Sequence, residues 1–458
     1  MSFSTVILAA GAGTRMKSAR AKVAFNLLDK PMVRWVVDAA KQAGSTEIFS
    51  VVGFAREQVE PLLADTIIVV QEERLGTGHA IMIASERLSR KDLPASLVVL
   101  CGDTPLITPE TISQLVASRQ QGNAAICMLT FEPEDPTGYG RVLRDERGNV
   151  TGIVEEKDAT AAEKQIQECN SGIYCFDRTV LLDNLSELKN DNVQGEYYLT
   201  DLIAICVAKG LLVSANIVGA EEVSGINSRV QLAQATKTMQ HRINTRHMEA
   251  GVTMLDPGLV WIGPDVTLEN DVELLPLTML YGKTTVASGT VIGPNTRVTN
   301  SIIGHDCRVD ESVLIDVILE DRVDCGPRAY LRPGTVMKTR SKAGTHVEIK
   351  KSIVGEGSKV PHLTYLGDTT LGKGVNIGAG TITCNYDGQK KSPTIIGDRA
   401  FIGSDTMMVA PVVVGADTVT GAGSVITKDV PDGALAVERS EQKNIEGWTA
   451  RHRKGIAE

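Results

Sequence analysis

Ile396, Ile402, Met408, Val414, Thr420 and Ile426 stand six residues apart, near the C-terminal end of a 458-residue chain. Gly397, Gly403, Gly415 and Gly421 each follow a ladder residue by one place. Ala400, Thr406, Val412, Thr418 and Ser424 each fall four places after one. A period of six fits neither the alternation of an ordinary strand nor the turn of an α-helix. It fits very short strands joined by corners, each coil stacking its aliphatic residue on the one below in a dry interior. The ladder therefore predicts a parallel β-helix. Fragments of the same period reach back to about residue 251: Ile292 and Val298; Ile303, Val309 and Ile315; Leu319, Cys325, Leu331 and Met337; Val354, Val360 and Leu366. With three hexads per coil, about ten coils at ~4.8 Å would make a prism ~50 Å long. The pattern stops at Cys384–Pro393, a polar stretch that reads as a loop thrown out from the column, where function often sits.

The region upstream has a different grammar. Thr5–Ala10 reads as a buried strand running into Gly11, Gly13, Thr14 and Arg15. A strand, a glycine turn and a following helix would cradle phosphate, with Arg15 and Lys22 adding positive charge. A helix over Met32–Ala43 and strands over Glu47–Gly53, Ile67–Val70 and Leu97–Leu100 predict a mostly parallel α/β sheet. Ligands of such sheets lie beyond the strand carboxyl ends, where the glycine loop, Gly102 and Asp103 fall. A carboxylate there can hold Mg²⁺ against phosphates. Gln71 with Gly76, Thr77, Gly78 and His79 forms a loop able to read a base through an amide and backbone groups, with no role assigned to His79. Gly140, Glu155, Asn170 and Asn227 occupy polar segments beside predicted strands, and singly each reads as a turn or capping residue. Ser228–Glu249 has no Gly or Pro and reads as a linker helix.

The totals bound the function. At 42% hydrophobic the chain is long enough for two cores, and a net charge of −9 argues against a general nucleic-acid or anionic-membrane binder. Eight cysteines without CxxC pairs suit reduced, packed thiols, not a disulfide frame or a zinc site. The apolar run Val6–Ala10 is too short for a signal peptide, and Asp201 and Lys209 break up Leu199–Ala220, so no membrane insertion is expected. The expectation is a soluble cytoplasmic protein.

Val6-Ile-Leu-Ala-Ala-Gly-Ala-Gly-Thr-Arg-Met16 resembles the signature of the sugar-nucleotide pyrophosphorylases, and Leu75-Gly-Thr-Gly-His-Ala80 extends the likeness. With His362-Leu-Thr-Tyr-Leu-Gly-Asp368 and Asn376-Ile-Gly-Ala-Gly-Thr-Ile-Thr-Cys-Asn-Tyr-Asp-Gly388, residues 4–448 resemble a bacterial bifunctional family. Its members join an N-acetylglucosamine-1-phosphate uridylyltransferase to a glucosamine-1-phosphate acetyltransferase. The resemblance implies a Rossmann-like uridylyltransferase domain over 1–227, a helical linker over 228–250, a left-handed β-helix over 251–437 and a tail over 438–458. It implies nucleotide and phosphate contacts from Leu8, Ala9, Ala10, Gly11 and Lys22, with Arg15 nearby. Gln71, Gly76 and Thr77 match the uracil readers, with Gly102 beside them. Gly140, Glu155 and Asn170 match the sugar contacts; Asp103 and Asn227 match the Mg²⁺ ligands, Asn227 also bordering the nucleotide. The family's Leu-Pro-Lys-Val-Leu-His reads Arg20-Ala21-Lys22-Val23-Ala24-Phe25 here. In the acetyltransferase half Arg332, Lys350, Tyr365, Asn376 and His362 match the sugar-phosphate and catalytic residues, and Ala379, Asn385, Tyr386, Ser404, Ala422 and Arg439 the acetyl-CoA contacts. Homotrimers, with each acetyl site built between chains, are likewise implied.

The chemistry is consistent with that reading. A sugar phosphate is already an anionic nucleophile toward the α-phosphate of UTP, so positioning and charge neutralisation suffice, and Mg²⁺ on Asp103 and Asn227 with Arg15 and Lys22 as catalytic cations would supply both. An amine attacking a thioester must lose a proton, which a histidine accepts near neutral pH; His362 is the candidate. Two rival readings stand beside this one. One is a single-activity sugar-1-phosphate nucleotidyltransferase with a structural β-helix, the other a non-enzymatic assembly subunit.

Overall fold

The computed structural model describes residues 2–452, so Arg453 and Lys454 of the basic tail lie outside the described residues. The chain divides into two compact units, Met1–Gln240 and His241–Glu458. The helix expected over Ser228–Glu249 forms as Arg229–Glu249, and the division falls inside it. Its Val230 is exposed, while Ala235, Met239 and Ile243 are buried.

In the first unit one sheet runs, edge to edge, Val213–Ile217, Ile126–Phe131, Cys169–Asp177, Ser96–Cys101, Phe3–Ala9, Ser45–Val52 and Ile67–Val70. All neighbours are parallel except Cys169–Asp177, which runs antiparallel to both of its own. Apolar residues on both faces of the central strands are buried, as parallel strands between helices require. After Phe3–Ala9 the chain adds strands on one side, then crosses to Ser96–Cys101 on the other. That reversal opens a crevice at the carboxyl ends of these two strands. One expectation fails here. No α-helix follows the glycine loop; a single 3-10 turn, Thr14–Met16, does, and the first α-helix begins at Met32. Gly13 at φ 59° and Lys17 at φ 48° bracket that turn in left-handed conformations, which stop it from propagating.

The second unit is a three-sided parallel β-helix whose sheets hold eleven, ten and nine strands of two to four residues, so the coil estimate of about ten holds. Ladder residues Ile396, Ile402, Met408, Val414, Thr420 and Ile426 are all buried. The residues four places on explain themselves too. Ser358 Oγ donates to Gly372 O at 2.7 Å and accepts from Val375 N at 2.9 Å, so buried hydroxyls satisfy corner backbone groups between coils. Glycine at the corners is a packing requirement: a Cβ on Gly355 would sit 1.9 Å from Gly372 O. The hexad count slips at one expected rung. Leu314, not Ile315, faces inward, because this turn of the coil is one residue short and the side chains alternate. Trp448–His452 of the expected tail forms a short helix. Among the described residues no helix is long and apolar enough to cross a membrane.

Leu314→Ala is expected to cost about 2–5 kcal/mol of stability by leaving a cavity in the dry column, and Ile315→Ala under about 1 kcal/mol. Urea denaturation of the two variants reads the difference directly; equal costs would contradict the observed register.

Candidate active sites

The crevice of the first unit holds a cavity of about 560 Å³ lined by Leu8, Ala9, Ala10, Gly11, Lys22, Gln71, Gly76, Thr77 and Asp103. Its floor is the glycine loop. A Cβ on Gly13 would come within 2.5 Å of Lys22 Cβ, so glycine lets the loop lie on the lysine stem. The Lys22 ammonium pairs with Asp103 and donates to Asn227 Oδ1 at 2.9 Å. Two oxygens from segments far apart in sequence thus converge on one cation. Such a pair suits a hard divalent ion whose other ligands are phosphate oxygens and water. Among the described residues no cluster of three His, Cys, Asp or Glu could hold a metal unaided. Lys22 lacks the proline that precedes it in the family pattern, but Ala21 N–H donates to Gln58 Oε1 at 3.0 Å and Arg20 Nη2 to Ala24 O at 2.5 Å. These bonds brace the turn instead.

Two expected residues stand apart. Arg15 is exposed and lines neither this cavity nor its neighbour. Gly102 supports the wall from behind, its N–H donating to Leu8 O at 2.9 Å. A smaller cavity of about 210 Å³ shares Leu8, Thr77 and Cys101 with the first and brings Gly140, Glu155 and Asn170 together. Asn170 N–H donates to Gly140 O at 2.9 Å, and its Nδ2 donates to the Tyr174 hydroxyl at 2.8 Å. Burial pushes the Glu155 carboxyl above its ordinary value, which the Thr200 hydroxyl, donating to it at 3.0 Å, only partly offsets. Burial also raises the Cys101 thiol to about 12, which rules it out as a thiolate nucleophile between the cavities.

In the β-helix the register stacks the expected sugar-phosphate residues. Leu331 pairs with Ile349 and Lys350 with Gly367, which sets Arg332, Lys350 and Gly367 on successive coils. Arg332 donates to Glu348 Oε1 at 2.8 Å, and Lys350 to Asp368 Oδ2 at 3.2 Å. The Tyr365 hydroxyl lies over Gly367, where a Cβ would meet it at 2.5 Å. Asn385 sits at the base of the excursion, its carbonyl accepting from Ser392 N–H at 2.9 Å. Its side chain is buried and donates to Asp368 Oδ2 at 2.6 Å, so it braces the charged cluster. Lys391 was missed because it sits outside the ladder, in the excursion. Lys350 beside it holds the Lys391 ammonium below the usual lysine range, evidence of two crowded cations. The cluster holds more cations, Arg332, Lys350 and Lys391, than carboxylates, Glu348 and Asp368.

His362 is exposed one corner away from Tyr365, and among the described residues its ring makes no hydrogen bond within the chain. Asn376 lies on the next coil of the same sheet, where Lys359 pairs with it. Ala379, Ser404 and Ala422 follow the strands of that sheet on successive coils and so share one corner. Asp405 N–H donates to Ala379 O, Gly423 N–H to Ser404 O, and Arg439 Nη1 to Ala422 O at 3.2 Å. Tyr386 is exposed on the excursion, its hydroxyl donating to Gly388 O at 2.6 Å.

Comparison with known proteins agrees with both halves. Residues 5–169 match the MobA-like NTP transferase domain, and residues 393–428 match the bacterial transferase hexapeptide (six repeats). Over 445 residues, 97% of each chain, the sequence is 50% identical to the bifunctional protein GlmU of Caldanaerobacter subterraneus subsp. tengcongensis. The chain belongs to the bifunctional GlmU family. It is 47% identical over 458 residues to the GlmU of Streptomyces coelicolor, covering 99% of this chain and 95% of that one. To the GlmU of Clostridium novyi it is 46% identical over 450 residues, 98% of each. As a GlmU protein it is an enzyme with two activities, nucleotidyl transfer and acetyl transfer, in UDP-N-acetylglucosamine synthesis. Its column is the left-handed β-helix of hexapeptide repeats. The reading as a single-activity enzyme is not favoured.

Asp368 yields a pH prediction. Burial raises its carboxyl, but donation from Asn385 and Lys350 outweighs this and leaves it below the usual carboxylate range. Because the folded value is depressed, its stabilisation is full above the unfolded value of about 3.9 and is lost as pH falls through the folded one. Asp368→Asn should therefore be less stable than wild type at pH 7 and lose that deficit at a pH low enough to protonate the folded carboxyl. Urea midpoints at the two pH values test it; a deficit independent of pH would refute the ionic role.

Proposed function

We propose that the first unit transfers uridylyl from UTP to N-acetylglucosamine-1-phosphate, releasing pyrophosphate, and that the second transfers acetyl from acetyl-CoA to glucosamine-1-phosphate. The observation that carries the reading is the convergence of Asp103 and Asn227 on the Lys22 ammonium beside the glycine-floored cavity. Asp103 and Asn227 would hold Mg²⁺, which when bound supplies charge neutralisation at the phosphates. Leu8–Gly11 hold the nucleotide, Gln71, Gly76 and Thr77 the uracil, and Gly140, Glu155 and Asn170 the amino sugar. Lys22 turns from Asp103 to the phosphates and stabilises the charge spread over the transferring group. Arg15, exposed at the loop, is left to reach the pyrophosphate end of a bound nucleotide. The sugar phosphate oxygen attacks in line with the leaving pyrophosphate, so no protein nucleophile is needed.

In the acetyl site Arg332 and Lys350, with Lys391, seat the phosphate of glucosamine-1-phosphate, while Tyr365 and Asn376 orient the sugar. His362 accepts the amine proton as nitrogen attacks the thioester carbonyl, and the coenzyme thiolate leaves. The corner of Ala379, Ser404 and Ala422, with Arg439 and Tyr386, receives acetyl-CoA.

The outward face of one sheet supports a trimer. Ile302, Ile318, Val336, Ile353, Thr370, Ile395 and Val413 pair in register over the last seven strands of that nine-stranded sheet, an almost unbroken apolar stripe that Thr267 and Thr285 precede. Ile302, Ile318, Ile353, Ile395 and Val413 are all exposed in the single chain. Stripes of that length mark contact with further copies. The eight free cysteines support a reducing, cytoplasmic location.

His362→Ala should cut acetyl transfer by at least about 10²-fold while uridylyl transfer stays within about twofold. Asp103→Ala, or EDTA on wild type, should abolish uridylyl transfer and spare acetyl transfer. Free thiol is read with glucosamine-1-phosphate and acetyl-CoA, and pyrophosphate separately with N-acetylglucosamine-1-phosphate and UTP supplied. Loss of both activities in either variant would overturn the assignment, and a monomer in sedimentation would overturn the trimer.

A further inference from the structure

We propose that His79, together with the Gly76 carbonyl, sets the base specificity of the nucleotide site by fixing which end of the Gln71 amide faces the cavity. The inference rests on the assignment of Gln71 to the uracil ring and deepens it.

Gln71 follows the strand Ile67–Val70. Its backbone N–H donates to Val52 O at 2.8 Å, and only 4% of its surface is exposed. Its Nε2 donates to Gly76 O at 3.2 Å and lies 3.2 Å from His79 Nδ1. An amide nitrogen carries two hydrogens and has no lone pair to offer. His79 Nδ1 must therefore be the unprotonated acceptor, and both Nε2 hydrogens are committed to the protein. What remains for a ligand is Oε1, an acceptor only. Rotating the amide by half a turn would set Oε1 against the Gly76 carbonyl, a repulsive contact in a buried place, and would oblige His79 to move its proton from Nε2 to Nδ1.

An acceptor fixed at the cavity wall matches the N3–H of uracil, a donor flanked by two carbonyls. Cytosine presents a lone pair at N3 and is repelled. A site that commits a buried polar group in this way rejects the wrong partner more strongly than a shape-matched apolar pocket does.

The histidine is itself held. It lies in the first turn of the helix Thr77–Leu88, and its ring stacks on Tyr197 at 6.2 Å with an interplanar angle of 28°. Tyr197 is tied to the loop through its own N–H to Leu75 O at 2.7 Å and through Gly78 N–H to Tyr197 O at 2.8 Å. Cβ atoms on Gly76 or Gly78 would lie 2.6 and 2.9 Å from Tyr197 O, which accounts for glycine at both places. His79 is thus a positioning residue that acts through Gln71.

The test compares wild type, His79→Leu and His79→Asn in uridylyl transfer, with UTP and CTP as alternative nucleotides and thermal melting as the folding control. Leucine removes one of the two acceptors that orient the amide. KM for UTP should rise about tenfold, the preference for UTP over CTP should fall about tenfold, and kcat should move by less than about twofold. Asparagine can offer Oδ1 to Gln71 Nε2 and should restore most of the preference. If His79→Leu fails to fold, His79→Ala assayed with and without added imidazole carries the same comparison. A His79→Leu enzyme that keeps the wild-type preference, or that loses both nucleotides equally, overturns the proposal. A wild type with no preference for UTP overturns the uracil assignment itself.

Discussion

Coil-to-coil pairing in the β-helix is the constraint on which the second half of the molecule depends. Each coil contributes strands of two to four residues, too short to be stable alone. They persist because the next coil supplies backbone partners and a stacked aliphatic residue. The same repeat then dictates the outer surface. Since Tyr330 pairs with Glu348 and Glu348 with Tyr365, any outward side chain has a neighbour one inter-strand spacing above and below. Arg332, Lys350 and the Asp368 cluster are held at that spacing by a column whose interior takes no part in chemistry.

The first unit solves its positioning problem differently. Its groups come from segments remote in sequence that meet where the order of strands reverses. Lys22, Asp103 and Asn227 are joined only by tertiary packing, and Gly13 must lack a side chain for the loop to reach the lysine. With no α-helix behind the glycine loop, the positive potential there comes from Lys22 and from backbone N–H groups, not from a helix dipole.

Much of this was legible in the residues, for physical reasons that differ by element. The hexads betrayed the column because burial repeats with the coil, and alternating strands and helices betrayed the sheet. The slip from Ile315 to Leu314 was hidden, since a corner one residue short still leaves an aliphatic residue at the expected place. The missing helix was hidden because a glycine turn reads the same whatever follows it. Most candidate site residues came from motif resemblance, not from periodicity. Lys391 lies outside any repeat, and the bond from Asn385 to Asp368 joins residues seventeen apart that no periodicity pairs. His79 stood in the base-reading loop without a role, because its meaning lies in the orientation of an amide eight residues earlier, which no pattern of residue types encodes.

The excursion at Cys384–Pro393 has one more consequence. It leaves the column and returns without disturbing it: Thr370 still pairs with Ile395, and Ile395 with Val413. Tyr386 bridges Lys391 across its base, and Ser392 N–H closes onto Asn385 O at 2.9 Å, so the detour is pinched off where it departs. Lengthening a closed loop costs entropy only as the logarithm of its length. Only the tip, residues 387–390, is therefore cheap to lengthen, while Asn385, Tyr386 and Lys391 at the pinched base are held where the column presents them.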